Sequence, residues 1–88
     1  MADIKIVWPR IQAYAGKEFR QIRGGRFTYS IAAGHVVPDR TNHRIPKSHF
    51  EQALKQLPLQ NTTPVQHLRG PSYIYAILMD DRIRDGDW

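Results

Sequence analysis

Cysteine is absent from the 88 residues. That excludes disulfide staples, thiolate metal sites and a cysteine nucleophile, and it agrees with a reducing, cytoplasmic location, which is the expected one. No apolar run reaches the roughly 18 residues of a membrane helix. The opening MADIKIVW lacks the apolar core of a signal peptide, so no membrane partner is expected. Gly24-Gly25 is not followed by the Lys-Ser/Thr of a phosphate-binding loop, and no other cofactor motif stands in the sequence, so no cofactor is expected. Internal repeats and low-complexity tracts are missing too. Acids are scarce: eight Asp and Glu face thirteen Lys and Arg, for a net charge of +5 and a pI near 10.0.

What remains is ordinary for a folded domain. Hydrophobic residues make up 41% and aromatics 10%, too apolar for a disordered chain, while the mean hydropathy of −0.55 requires a polar surface. The length suits one domain over residues 1–88, with 83–88 expected to fray. The charge is unevenly spread. Ile4 to Met79 carry eleven Lys and Arg against Glu18, Asp39 and Glu51, whereas Asp80 to Trp88 carry four Asp against two Arg. A basic body raises the local concentration of anions and points to nucleic acid or another acidic partner, the alternative being a merely solvated basic surface.

Ile4, Ile6 and Trp8 alternate as in a short strand, and Pro9 suits the first position of a helix running to about Ala15. Glu18 to Ile22 either continue that helix or form a strand turned by Gly24-Gly25. Residues 26–32 are the clearest strand, with Phe27, Tyr29 and Ile31 on one face; Ala33-Gly34 turns the chain and His35 to Arg40 return. Pro38 places that return at a sheet edge or its end. Ser48 and Glu51 match a capping box ahead of Phe50, Ala53, Leu54 and Leu57, one apolar helical stripe stopped by Pro58. Thr63 and Pro64 open a helical turn closed by Gly70, and Ser72 caps a last helix, SYIYAILMDD. The expected fold is α+β, a small antiparallel β-sheet built on hairpins and packed against three to four short α-helices.

Residues 64–80 have the outline of a helix–turn–helix, but its outward Tyr75, Met79 and Arg82 are poor readers of base edges, and packing against the sheet is the better reading. His35, His43, His49 and His67 fit no metal-ligand spacing, so no metal is expected. His43 beside Arg40, Arg44 and Lys47 also admits a metal-free ribonuclease, the minority reading; the chain is not expected to be an enzyme. The apolar helix Tyr73–Met79 is a candidate homodimer surface and the basis of an alternative reading as a protein-interaction module. Arginine forks match phosphate. The leading expectation is a small nucleic-acid-binding domain, with DNA preferred to RNA. Arg26, Arg40, Arg44 and Lys47 hold phosphates, Arg20 and Arg23 add charge, and Thr41 and Asn42 touch base edges or orient the loop. Tyr29 is read as core rather than as a stacking platform for bases.

Overall fold

The computed structural model describes residues 3–41 and 43–88. The chain begins with a helix, α1 (Ile4–Ala13), and not with the expected strand. The apparent alternation was the wrong period. Ile4, Val7, Trp8 and Ile11, spaced i, i+3, i+4 and i+7, are the buried set, while Ile6 is 55% exposed. Asp3 fixes the start: its carboxylate accepts the Lys5 N–H at 2.8 Å, and its negative charge sits at the positive end of the helix dipole. Pro9 lies inside α1 on its exposed side, where water can serve the carbonyl that lacks a partner.

Two small antiparallel sheets follow. The first is a hairpin of β1 (Phe19–Arg20) and β2 (Arg26–Phe27), so the strand alternative for the residues after Gly16 is correct. The second has the order β3 (Tyr29–Ala32), β4 (His35–Pro38) and β5 (Ile45–Pro46), with β4 central. The expected continuous strand over 26–32 is therefore divided at Thr28. That residue leaves both ladders to exchange bonds with Asp39: the Thr28 N–H donates to Oδ1 at 3.0 Å and the Thr28 carbonyl accepts the Asp39 N–H at 2.9 Å. Ala33 and Gly34 both have positive φ, 50° and 77°, the requirement of a tight two-residue hairpin turn. Pro38 ends β4, where no further ladder bond is needed.

Helix α2 (Lys47–Leu54) starts one residue before Ser48, with Pro46 at the cap and no side-chain capping bond. The expected capping box is thus not formed. β5 delivers the chain directly into α2, and the Lys47 N–H bonds the Gly34 carbonyl at 3.1 Å, so a tertiary bond replaces a cap. Thr63–Val65 is a 3₁₀ turn, and α3 (Pro71–Leu78) opens on Gly70 rather than on a Ser72 cap. Ser72 Oγ instead accepts the Gln21 side-chain amide at 3.0 Å, which ties the first hairpin to α3. The last residues, expected to fray, make bonds to the fold. Asp80 caps α4 (Asp81–Arg84), Ile83 is fully buried, and the Trp88 indole donates to the Leu78 carbonyl at 2.7 Å.

One buried cluster draws on every element. Trp8 meets Phe50 at 6.1 Å, and Phe19, Phe27, Tyr29 and Tyr73 form a chain of ring contacts at 4.9–6.0 Å. Tyr29 is 2% exposed, as the core reading required. Its hydroxyl donates at 2.5 Å to the Ile11 carbonyl, one of the last carbonyls of α1 and without a helical N–H donor. Burial pushes the Tyr29 phenol pKa well above its ordinary value; nearby Arg82 opposes the shift and Asp80 adds to it. The arrangement is α+β, small antiparallel sheets with four short helices among the described residues.

Candidate nucleic-acid interface

The register of the first hairpin decides where its cations go. Phe19 faces Phe27 and Arg20 faces Arg26; because both phenylalanines are buried, period-two alternation sends both arginines outward on one face. The connecting loop is closed by Gln21 N–H to the Gly25 carbonyl (2.6 Å) and Gly24 N–H to the Gln21 carbonyl (2.8 Å). Its tip is Ile22, 47% exposed, with Arg23 exposed beside it.

Arg40 joins this hairpin from the other sheet. The Thr28–Asp39 exchange places the residue after Asp39 against β2, and Arg40 Nη1 reaches the Arg26 carbonyl at 3.4 Å. Gly25 makes the room: a Cβ there would lie 2.9 Å from Arg40 Nη1 and 2.6 Å from Gln21 Oε1. Arg20, Arg23, Arg26 and Arg40 are thus all on or against the first hairpin. The opposing acids are weakly engaged with them. Glu18 pairs with Arg26 at 3.4 Å, both side chains about three-fifths exposed, and Asp39 is occupied by the Thr28 backbone.

The rest of the expected set lies elsewhere. Arg44 precedes β5 and is exposed; Lys47, at the start of α2, lies beside the β3–β4 turn with its ammonium 5.8 Å from the Trp8 ring. Lys47 and Arg40 lie beyond opposite ends of β4, whose own length is three strand steps or about 10 Å. The basic residues therefore form a cluster on the hairpin and a separate pair along β5. Thr41 is half-buried and its Oγ1 accepts the His43 N–H at 3.2 Å, the local turn expected of a loop-orienting residue. Asn42 lies outside the described residues.

Three arginines outside the expected set turn inward. Arg10 donates to the Ile83 carbonyl at 3.0 Å and pairs with Asp87 at 2.6 Å. Arg82 holds Asp80 through two bonds at 2.9 and 3.0 Å, donates to the Glu18 carbonyl at 2.8 Å, and lies 4.2 Å from the Phe19 ring centroid. Arg84 bonds the Trp88 carbonyl. Burial alone would raise the Asp80 carboxyl pKa, but side-chain and backbone hydrogen bonds from Arg82, together with its charge, hold it below the usual carboxylate range. The acidic tail thus serves α1, α4 and the base of the first hairpin. The signal for this role was its charge reversal, which sequence reasoning assigned to a loose end.

The other candidates gain little. Helix α3 buries Ile74, Ala76, Ile77 and Leu78 in the core; Tyr75 and Met79 are half-buried and pack against it, and Arg82 is held by Asp80. The element before α3 is only a 3₁₀ turn, so residues 64–80 do not present a recognition helix. His49 Nδ1 accepts the Arg69 N–H at 3.0 Å, and His35 Nδ1 lies 2.9 Å from the Ala33 carbonyl. Among the described residues no three His, Asp or Glu side chains converge as a metal site would require, and no helix is long and apolar enough to cross a membrane. No protein-family model matches the chain, nor does any curated protein or solved structure.

Proposed function

We propose that this protein binds nucleic acid, double-stranded DNA in preference to RNA, through the arginines of the β1–β2 hairpin and Arg40. The observation that supports this reading most strongly is the contrast in arginine use. Arg10, Arg82 and Arg84 are bonded into the fold, whereas Arg20 and Arg26 share an outward face, Arg23 stands exposed in the loop beside them and Arg40 reaches the same hairpin, with only an exposed glutamate and a backbone carbonyl as partners. Guanidinium forks on a protruding ribbon suit phosphate oxygens on the two sides of a groove. Arg44 and Lys47 extend the contact along β5 to a second stretch of backbone. Thr41 and Asn42 are the uncharged residues of the set that suit base edges, and the arginines, placed on phosphates here, also match guanine edges. Such a binder acts in the cytoplasm as a regulator, a nucleoid component or the DNA-contacting part of a larger assembly.

Fluorescence anisotropy of a short labelled duplex, titrated across a salt series, tests the reading. Engagement of four or more phosphates gives a log–log slope of magnitude roughly 4, and the Arg40→Ala, Arg44→Ala double variant lowers it by up to about 2. Absence of binding at low salt would show that the cluster is only a solvated surface. An unchanged slope in the double variant would remove those two arginines from the contact.

A further inference from the structure

One hollow of the molecule shares no lining residue with the basic cluster and has the opposite charge. It is a groove of about 650 Å³ between the start of α1, the outer side of α2 and the end of the chain. Ile4, Leu54, Leu57 and Trp88 supply its apolar lining, and Asp3, Glu51 and Asp87 line it against one cation, Lys55. Glu51 is exposed and makes no ion pair among the described residues; Asp87 meets Arg10 through Oδ2 alone. On a chain of net charge +5, an acid-lined apolar groove invites a basic, apolar occupant.

The chain carries such an occupant itself. The tip of the first hairpin carries Ile22, one of two large hydrophobic side chains that stand exposed among the described residues, flanked by Arg23 and followed down the strand by Arg20. Neither arginine makes an ion pair among the described residues, and the tip shares no lining residue with the groove. We propose that the groove is the docking site for the hairpin tip of a second copy, with Ile22 seated on the apolar lining and Arg20 and Arg23 facing Glu51, Asp3 and Asp87. The contact joins two different surfaces, so each copy keeps a free tip or a free groove and further copies add in a head-to-tail row. The joined area is small and the pairing strongly charged. Assembly is therefore weak, favoured by concentration and reversed by salt. The inference does not depend on nucleic-acid binding.

Sedimentation velocity over a concentration series at low and high salt provides the test, using the full chain. Wild-type protein should gain mean mass with concentration at low salt and lose that gain at high salt. Ile22→Asp blocks the tip and Glu51→Arg blocks the groove; both residues are exposed, so circular dichroism should show the wild-type fold. Each variant alone should associate at least about tenfold more weakly than wild type. An equimolar mixture of the two should form dimers and nothing larger, because one partner retains a groove and the other a tip. A wild-type chain that remains monomeric overturns the proposal and leaves the groove to a small cationic ligand. Variants that associate like wild type, or a mixture that stays monomeric, overturn it equally.

Discussion

The two hairpins of this protein use the same element for opposite ends. The β3–β4 hairpin has four-residue strands, a two-residue turn and a third strand beside it, and its inward side chains Tyr29, Val36 and Pro38 are buried in the core. The β1–β2 hairpin pairs only two residues on each strand, anchors itself with Phe19, Phe27 and the Gln21–Ser72 bond, and leaves Arg20, Ile22, Arg23 and Arg26 exposed. One hairpin builds the fold; the other is held out by it. The difference lies in residue choice, since β3 and β4 carry no Lys or Arg while the segment from Arg20 to Arg26 carries three. Stability and surface chemistry should therefore respond separately to mutations in the two regions, and that separation can be broken or sharpened in order of expected effect.

The largest effect belongs to the floor of the second sheet. Ile45 is fully buried and lies opposite Val36 in the β4–β5 register. Ile45→Ala removes buried methyl groups and leaves a cavity that the close packing cannot wholly close, so equilibrium denaturation should show a loss of about 2–5 kcal/mol. Ile22→Ala, in the other hairpin, should shift the same curve by no more than about 0.5 kcal/mol. Comparable losses from the two changes would sink the division of labour between the hairpins.

Tyr29→Phe comes next and adds a dependence on pH. It keeps the ring but removes the donor to the Ile11 carbonyl, leaving a buried acceptor unpaired at a cost of about 1–3 kcal/mol at neutral pH. The folded phenol pKa is raised, so as pH climbs through the unfolded value of about 10 the unfolded state ionises first and wild-type stability falls. The variant lacks that group. Its deficit relative to wild type should therefore shrink above about pH 10, and a constant gap across the alkaline range would contradict the buried, neutral phenol.

How much of this was legible in the sequence varies by element, for physical reasons. The α+β class, the Ala33-Gly34 turn and the inward Phe50, Ala53 and Leu54 of α2 followed from local signals, period-two and helical spacing and turn chemistry, whereas α2 ends at Leu54, before the expected stop at Pro58. The α1 error arose because Ile4, Ile6, Val7 and Trp8 satisfy both periods over five residues, and only Ile11 with the Asp3 cap separates them. The break at Thr28 depends on Asp39, eleven residues away, and a local pattern that runs unbroken from Phe27 to Ile31 holds no trace of it. For the candidate site, the sequence named the cations but not which of them meet. Proximity of Arg40 to Arg26 comes from the same long-range exchange, while the distance between Arg40 and Lys47 is set by β4. The acidic tail looked like a loose end because its partners, Arg10 and the Glu18 carbonyl, lie more than sixty residues upstream.

The smallest effect should have the opposite sign. Ala33 stands in the β3–β4 turn with φ of 50°, in the left-handed region where an L side chain costs roughly 1–2 kcal/mol. Ala33→Gly relieves that cost but gives the unfolded chain more freedom to lose, which takes back roughly half, so a net gain of about 0.5 kcal/mol is expected. The side chain is exposed, so no packing is lost with the methyl group. A raised midpoint in denaturant with an unchanged slope would show that the gain resides in the folded turn. A lowered midpoint would mean that the turn is not strained, and that the tight hairpin owes its stability to the ladder and to the Lys47 N–H on the Gly34 carbonyl.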